Sequence, residues 1–417
     1  MRRLYTVLLW VLLPLAGLGV LWRGLRERDY WRGGWQRLGF GFAANGARCV
    51  WIHAVSMGEV QAAVPLVSAL RMRGYSVLLT AATPTGRRRA EQACGAQATV
   101  RYAPYDFPGA VSRVLRAVRP VLLIVLETEL WPNTLHACAR TGVPVLVASA
   151  RLSARTAARL SRWPGLLTPA ARANLHVAAQ ADADARRFRG LGAPEAAVQV
   201  CGNLKFDQPP VAGQPERGRA LRASLAPARS LWVAGSTHPG EEDAVLAAHR
   251  RLPAHAAGLL VIAPRHPRRF DEVASRLAAD GWRIARRSQG DGSAPDADVL
   301  LLDSMGELTD FYAAADLAFV GGSLVAVGGH NLLEPVSVGV AVVTGPLHTS
   351  APEVFAVLRA ADALCVVGDA AQLTTAVARM LTDATARQQQ ADRATAVLQA
   401  NRGSLQRVID WAERLAR

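Results

Sequence analysis

From about position 50 onward, short apolar runs rich in β-branched residues alternate with longer stretches of helical pattern, and no other feature constrains the fold as strongly. CVWIHAV (49–55), SVLLTAAT (76–83), TVRYAP (99–104), VLLIVLE (121–127), VPVLVAS (143–149), HVAAQ (176–180) and VQVCG (198–202) read as strands, with helix-like stretches such as VQAAVPLVSALRMRG between them. Apolar runs this continuous belong to strands covered on both faces, so the pattern predicts a parallel sheet between two helical layers. DQPPVAGQPERG (207–218) interrupts the alternation with three prolines and two glycines, as an interdomain linker does. The alternation then restarts with SLWVAGS, GLLVIAP, ADVLLLD, ADLAFVGG, VAVVTG and ALCVVG. The expected fold is therefore α/β, two Rossmann-like doubly wound domains facing a cleft. At 417 residues the chain is long enough for two cores of ordinary size. The first domain is expected over 39–206, and the second over 219–417 with a helical, charged C-terminal stretch from about 369.

Residues 1–38 stand apart. LYTVLLWVLLPLAGLGVLW (4–22) is uncharged and long enough to cross a hydrocarbon core of about 30 Å as a helix. Pro14 is tolerated in such a helix, and Tyr5, Trp10 and Trp22 suit its interfacial ends. Two arginines precede the run, whereas Arg23, Arg26, Arg28, Arg32 and Arg37 follow it, which predicts a membrane anchor with the body on the cytoplasmic side. A helix lying in the interface is the alternative; a cleaved signal peptide lacks a clear A-x-A site. In either case the arginines face anionic lipid.

The formal net charge of +15 favours anionic partners. Nucleic acid is not expected, because the arginines are spread along the chain without a helix-turn-helix, zinc-finger or RNP-type signature. Cys49, Cys94, Cys138, Cys201 and Cys365 form no C-x-x-C pair and are odd in number, as reduced core residues would be. Of the 48 basic residues only Lys205, in CGNLKFD, is a lysine. A compact ammonium retained against so strong an arginine bias suggests a role that a planar guanidinium does not fill.

In an open α/β sheet, ligands bind beyond the carboxyl ends of the strands. Seven stretches occupy such positions. In HAVSMGE, Glu59 lies at a strand-to-helix turn, where it is a candidate general base or a plain complement to the helix N-terminus. His53 and Ser56 lack the G-x-S-x-G context of a hydrolase. In TPTGRRR, Arg87, Arg88 and Arg89 oppose the helix dipole unless they meet an anion. In VLETELWPN, Glu127 and Glu129 share a face if the strand persists, and each then raises the other's pKa. In the second half, GSTHPGEE (Ser236, Thr237, His238), PRHPRRF (Arg265, His266) and DSMGEL lead to GGSLVAVGGHNLLEP, whose Gly321, Gly322, Gly328 and Gly329 precede His330, Asn331 and Glu334. Glycine-lined N–H groups beside Arg265 suit a phosphate, and a glutamate one turn into the helix suits ribose hydroxyls. No P-loop or G-x-G-x-x-G is present. The D-x-D spacings at Asp182/Asp184 and Asp296/Asp298 sit in alanine-rich or turn-like surroundings, so neither a catalytic metal nor another cofactor is expected.

An anchor, two Rossmann-like halves, an acidic acceptor side and a phosphate-gripping donor side point to a GT-B glycosyltransferase. The ordered set HAVSMGE, TPTG, YAPYDFP, ETELWPN, ARLSART, GNLKFD, STHPGEE, PRHPRRF, MGEL, FVGGSL and GGHNLLEP resembles the 3-deoxy-D-manno-octulosonic acid (Kdo) transferases of lipopolysaccharide synthesis, over essentially the whole chain. That resemblance implies inverting transfer of Kdo from CMP-Kdo to the lipid A precursor at the cytoplasmic face of the inner membrane. It also implies that Glu59 is the proton acceptor and that Glu127 and Lys205 stabilise the transition state. The CMP-binding segments it implies are Pro264–Arg265, Met305–Gly306–Glu307 and Asn331–Leu332–Leu333–Glu334. Met57 and Leu332 depart from relatives, at positions without titratable groups. The rivals are another GT-B enzyme, such as a heptosyltransferase or nucleotide-sugar epimerase, and a non-catalytic membrane-tethered lipid A binding protein.

Overall fold

A computed structural model describes residues 1–26, 31, 33–43, 46, 48–207, 213–253, 256, 258–290 and 296–417. These form two compact units, residues 1–209 with 401–417, and residues 210–400. Arg28, Arg32 and linker positions 208–212 lie outside the described residues, as do the side chains of Arg23 and Arg26.

In the first unit, β1 (Cys49–Ala54), β2 (Ser76–Ala81), β3 (Thr99–Tyr102), β4 (Leu122–Leu126), β5 (Val145–Ala150), β6 (Leu175–Ala179) and β7 (Val198–Val200) make a parallel sheet in the order 3-2-1-4-5-6-7. All six residues of β1 and all five of β4 are buried, as strands covered on both faces must be. Alternation along β1 divides the core into two layers. Val50, Ile52 and Ala54 face α2 (Met57–Met72) on one side; Cys49 and Trp51 face α4 (Pro108–Val118) and α5 (Pro132–Thr141) on the other. Between them in sequence, α3 (Pro84–Cys94) follows β2. The strand order reverses between β1 and β4, so the crevice beyond their carboxyl ends is the expected ligand position.

The second unit repeats the plan. β8 (Leu231–Thr237), β9 (Leu259–Pro264), β10 (Ile284–Arg286), β11 (Val299–Leu301), β12 (Leu317–Val320), β13 (Ala341–Thr344) and β14 (Cys365–Val366) run in the order 10-11-9-8-12-13-14. Its switch point falls between β8 and β12. The edge strand β10 has no counterpart in the expectation: three residues flanked by arginines carry no legible strand period.

The terminal helix corrects the predicted domain division. Residues 401–417, expected with the second domain, belong to the first unit. Val408, Ile409, Trp411 and Ala412 of the helix Ser404–Leu415 are buried in the layer shared with α2, which an otherwise polar helix supplies from one apolar stripe. The Asp207 carboxylate accepts from the Gly403 and Leu405 N–H groups at 2.7 Å each, capping that helix from a distant part of the chain.

At the other end, α1 spans Arg2–Arg26. Among the described residues no helix is long and apolar enough to cross a membrane. The five cysteines are free, and all but Cys365 are buried.

Candidate active site

In the first unit, the turn after β1 presents a carboxylate. Ser56 caps α2 by accepting from the Glu59 N–H at 3.3 Å, while its hydroxyl donates to Glu59 Oε1 at 2.9 Å, and the Val55 N–H donates to Glu59 Oε2 at 2.8 Å. This reciprocal cap folds the side chain back over its own turn. Burial pushes the Glu59 carboxyl up to about 7 against those two hydrogen bonds, and the charges of Glu127 and Glu129 add to the rise. A carboxyl poised near neutrality is suited to accept a proton.

Directly across the switch point, β4 ends at Leu126 and Glu127 takes φ +57°, a left-handed conformation unusual for glutamate. The backbone turn separates the two acids that strand alternation would have paired. Glu127 Oε1 meets Lys205 Nζ at 2.8 Å, whereas Glu129 Oε2 accepts from Trp131 Nε1 at 2.6 Å. Lys205 is positioned by its neighbours: the Leu204 N–H donates to Ser149 Oγ at 2.9 Å, and the Lys205 N–H donates to Asn203 Oδ1 at 3.0 Å. Ser149 itself sits at φ +50°. Sequence reasoning missed Ser149, because a serine at a strand end carries no signal until its partner segment is known.

The His53–Ser56 pair does not form. His53 Nδ1 lies 3.0 Å from Thr80 Oγ1, its ring packs edge-on against Trp131, and burial lowers its pKa to about 4. Arg87 and Arg89 of TPTGRRR are engaged with the body. Arg87 pairs with Glu91 at 2.8 Å and lies over the Tyr102 ring, and Arg89 donates to Gln61 Oε1 at 2.7 Å.

In the second unit, Glu241 organises the switch point. Wholly buried, it accepts from the N–H groups of His238 (3.1 Å), Gly322 (2.7 Å), Ser323 (3.0 Å) and Leu324 (3.0 Å). The turn after β12 is thereby pinned to the turn after β8. Gly322 is required there: its φ is +68°, and a Cβ would stand 2.8 Å from the His330 ring. His238 and His330 stack, with their Nε2 atoms 2.8 Å apart, and His266 meets His238 edge-on. Burial, then the nearby Arg265 charge, brings His330 to about 4, so this cluster is neutral beside a guanidinium. Pro264 ends β9, and the Arg265 N–H donates to Thr237 O at 3.0 Å, setting Arg265 at the same strand ends. The sequence reading singled out all three histidines but not Glu241, which resembles a helix-start acid until its acceptors are mapped.

The remaining predicted positions divide. Asn331 Oδ1 accepts from the Leu333 N–H at 3.1 Å, at the start of the helix Leu333–Ser337, and Asn331 Nδ2 donates to Glu334 Oε1 at 3.2 Å. Leu332 and Leu333 are buried, leaving only backbone to offer a ligand. Met305 is exposed, Gly306 has φ +92°, and Glu307 pairs with Arg287 at 2.7 Å, which holds its carboxyl below the usual range. Asp184 accepts from the Leu152 N–H at 2.9 Å and Asp298 pairs with Arg283, so each belongs to a local structural contact. Among the described residues no group of three or more His, Cys, Asp or Glu is arranged to hold a metal ion.

Known proteins match this chain. A family model described as 3-deoxy-D-manno-octulosonic-acid transferase (kdotransferase) covers residues 32–208. A 3-deoxy-D-manno-octulosonic acid transferase of Bordetella pertussis is 40% identical across 99% of both chains, and one of Haemophilus influenzae is 38% identical across 89% of each. The chain belongs to the Kdo transferase family. It is an enzyme, a glycosyltransferase that transfers Kdo. A UDP-GlcNAc 2-epimerase of Neisseria meningitidis bound to UDP-GlcNAc, 13% identical with a TM-score of 0.56 over 88% of this chain and all of that one, shares the fold alone. The Kdo transferase thus has the two-sheet α/β architecture of GT-B-like proteins.

Proposed function

We propose that this Kdo transferase uses CMP-Kdo as donor and the lipid A precursor as acceptor, with Glu59 as the proton acceptor. The observation that carries the reading is the Glu59 carboxyl, buried at the first switch point and raised to about 7. In the step, the acceptor hydroxyl oxygen attacks the anomeric carbon of Kdo while its proton passes to Glu59. The bond from that carbon to the CMP phosphate oxygen breaks, and its electron pair leaves with CMP. A single displacement of this kind inverts the anomeric centre. Kdo is a ketose acid, so the transition state carries oxocarbenium character beside a carboxylate and a departing phosphate. Lys205, held by Glu127, supplies a compact positive charge for those anions. In the second unit, Arg265, beside the turn that Glu241 pins, and the segments at Met305–Glu307 and Asn331–Glu334 hold CMP.

The acceptor is a lipid, and localisation at the cytoplasmic side of the inner membrane, against anionic lipids, follows from the same reading. Seven arginines against Glu27 and Asp29 within residues 1–40 support it. Incubation with CMP-Kdo and tetraacylated lipid A precursor, followed by mass spectrometry, tests the assignment. A product heavier by one or more Kdo residues is expected. No mass gain with that acceptor overturns it, and turnover of a UDP-sugar instead would favour the epimerase-like or heptosyltransferase rivals.

A further inference from the structure

Arg287 stands where the edge strand β10 gives way to a turn beside the Met305–Glu307 loop, and two carboxylates fasten that turn to the loop. Asp303, whose side chain is 1% exposed, accepts from the Ser288 N–H at 2.8 Å, the Ser288 hydroxyl at 2.6 Å and Arg286 Nε at 2.7 Å. At the other end of the loop, Glu307 Oε1 accepts from Arg287 Nη2 at 2.7 Å and from Nε at 3.2 Å, and Glu307 Oε2 accepts from the Ser304 hydroxyl. The same guanidinium lies 5.7 Å from the centre of the Phe311 ring, in the helix Leu308–Ala314 that the loop leads into. Both ends of the loop are thus tied to residues 286–288, and only its middle is open. There Met305 is 65% exposed and Gly306 takes φ +92° with open space where a Cβ would stand. Among the described residues no backbone carbonyl accepts from the N–H of either.

The parts of a nucleoside monophosphate divide among the segments of the second unit. Arg265 suits the phosphate and Glu334 the ribose hydroxyls, which leaves the base for the open peptides of this loop. Cytosine and uracil differ in the order of their polar groups rather than in shape. Along its pairing edge cytosine presents two acceptors, O2 and N3, and then the N4 amine as donor, whereas uracil presents acceptor, donor, acceptor. Peptide N–H and C=O groups tell these orders apart only when they are held in one register, because a loop free to turn its peptides meets either base. A guanidinium that grips a carboxylate through two nitrogens fixes direction as well as distance, which a single ammonium does not.

We propose that Arg287 is a positioning residue for base selection: acting through Glu307, it fixes the Met305–Gly306 peptides in the register that takes cytosine and rejects uracil. The inference rests on the proposed CMP-Kdo donor and deepens it. The test titrates CMP and UMP into the full chain by calorimetry. The parent should prefer CMP by about 10- to 100-fold, as a pair of well-placed base contacts gives, and Arg287→Gln should cut that preference at least about fivefold. Because Arg287 acts through Glu307, the double variant Arg287→Gln/Glu307→Ala should lose no more than Glu307→Ala alone. Arg287→Lys keeps the charge and one contact, so it preserves the fold and should show an intermediate preference. With CMP-Kdo as substrate, KM should rise in Arg287→Gln by a larger factor than kcat falls. An unchanged preference for CMP in both Arg287 variants, or additive losses in the double variant, overturns the positioning role and leaves the donor reading standing. A parent that binds CMP no better than UMP overturns the donor reading itself.

Discussion

Glu59 holds two opposed properties in one side chain. Its two hydrogen bonds favour the carboxylate, but burial and the charges of Glu127 and Glu129 favour the acid and win. Activity should therefore rise with pH through an apparent pKa of about 7 as the base is freed, and Glu59→Gln should remove that limb along with about 10²- to 10⁴-fold in kcat while free CMP still binds. The linkage sign is the reverse for stability. A carboxyl whose folded pKa lies above its unfolded 4.5 stabilises the fold fully below 4.5, and that contribution is lost as pH rises through about 7. Glu59→Gln should accordingly melt near the parent at pH 4 and higher than the parent at pH 8, a shift that calorimetry would detect. Lys205 makes a separate case. Its 2.8 Å pair with Glu127 holds a carboxylate on a residue at φ +57°, and a left-handed non-glycine residue costs roughly 1–3 kcal/mol. Lys205→Ala should lower kcat by about 10²- to 10³-fold, the loss typical of a charge-stabilising group. Lys205→Arg should recover only part of it, because the planar fork matches neither the single carboxylate oxygen nor a compact anion. Equal turnover in the Arg and Lys proteins would reduce the site to any cation.

At the scale of elements, the second switch point depends on a carboxylate that touches no exposed surface. Glu241 gathers N–H groups from the turns after β8 and β12, so Glu241→Ala leaves four buried donors short of an acceptor, at about 1–3 kcal/mol for an unsatisfied group. The loop should relax and CMP-Kdo binding weaken, seen as a rise in KM larger than the fall in kcat. An unchanged KM would separate the loop from donor binding. The terminal helix is the corresponding device in the first unit. Trp411 is buried beside His176, and Asp207 caps the helix two residues after Lys205. Trp411→Ala should cost about 3–5 kcal/mol and unfold the first unit ahead of the second, which limited proteolysis would resolve.

At the scale of the whole molecule, periodicity and motif order were sufficient for a great deal. Fully apolar runs such as those of β1 and β4 can only be strands covered on both faces. The alternation therefore determined two parallel-sheet units from the sequence alone, and it set Glu59, Glu127 and Arg265 at strand ends. Short-range rules also carried the glycine turn at Gly322. What depended on tertiary structure was each choice between partners remote in sequence. Strand alternation would pair Glu127 with Glu129, and only the left-handed turn at Glu127 sends it to Lys205. Glu241, Ser149 and Asp207 look like ordinary polar residues until their acceptors and donors, tens to hundreds of positions away, are brought alongside. The terminal helix carries an apolar stripe that could cover either sheet, and the layer beside α2 receives it. The apolar run at 4–22 has the length of a spanning helix, but length is local; that Tyr5 meets Asp106 and Trp10 meets Phe107, while Arg37 meets Tyr105 beside them, is a long-range fact that only the folded chain decides.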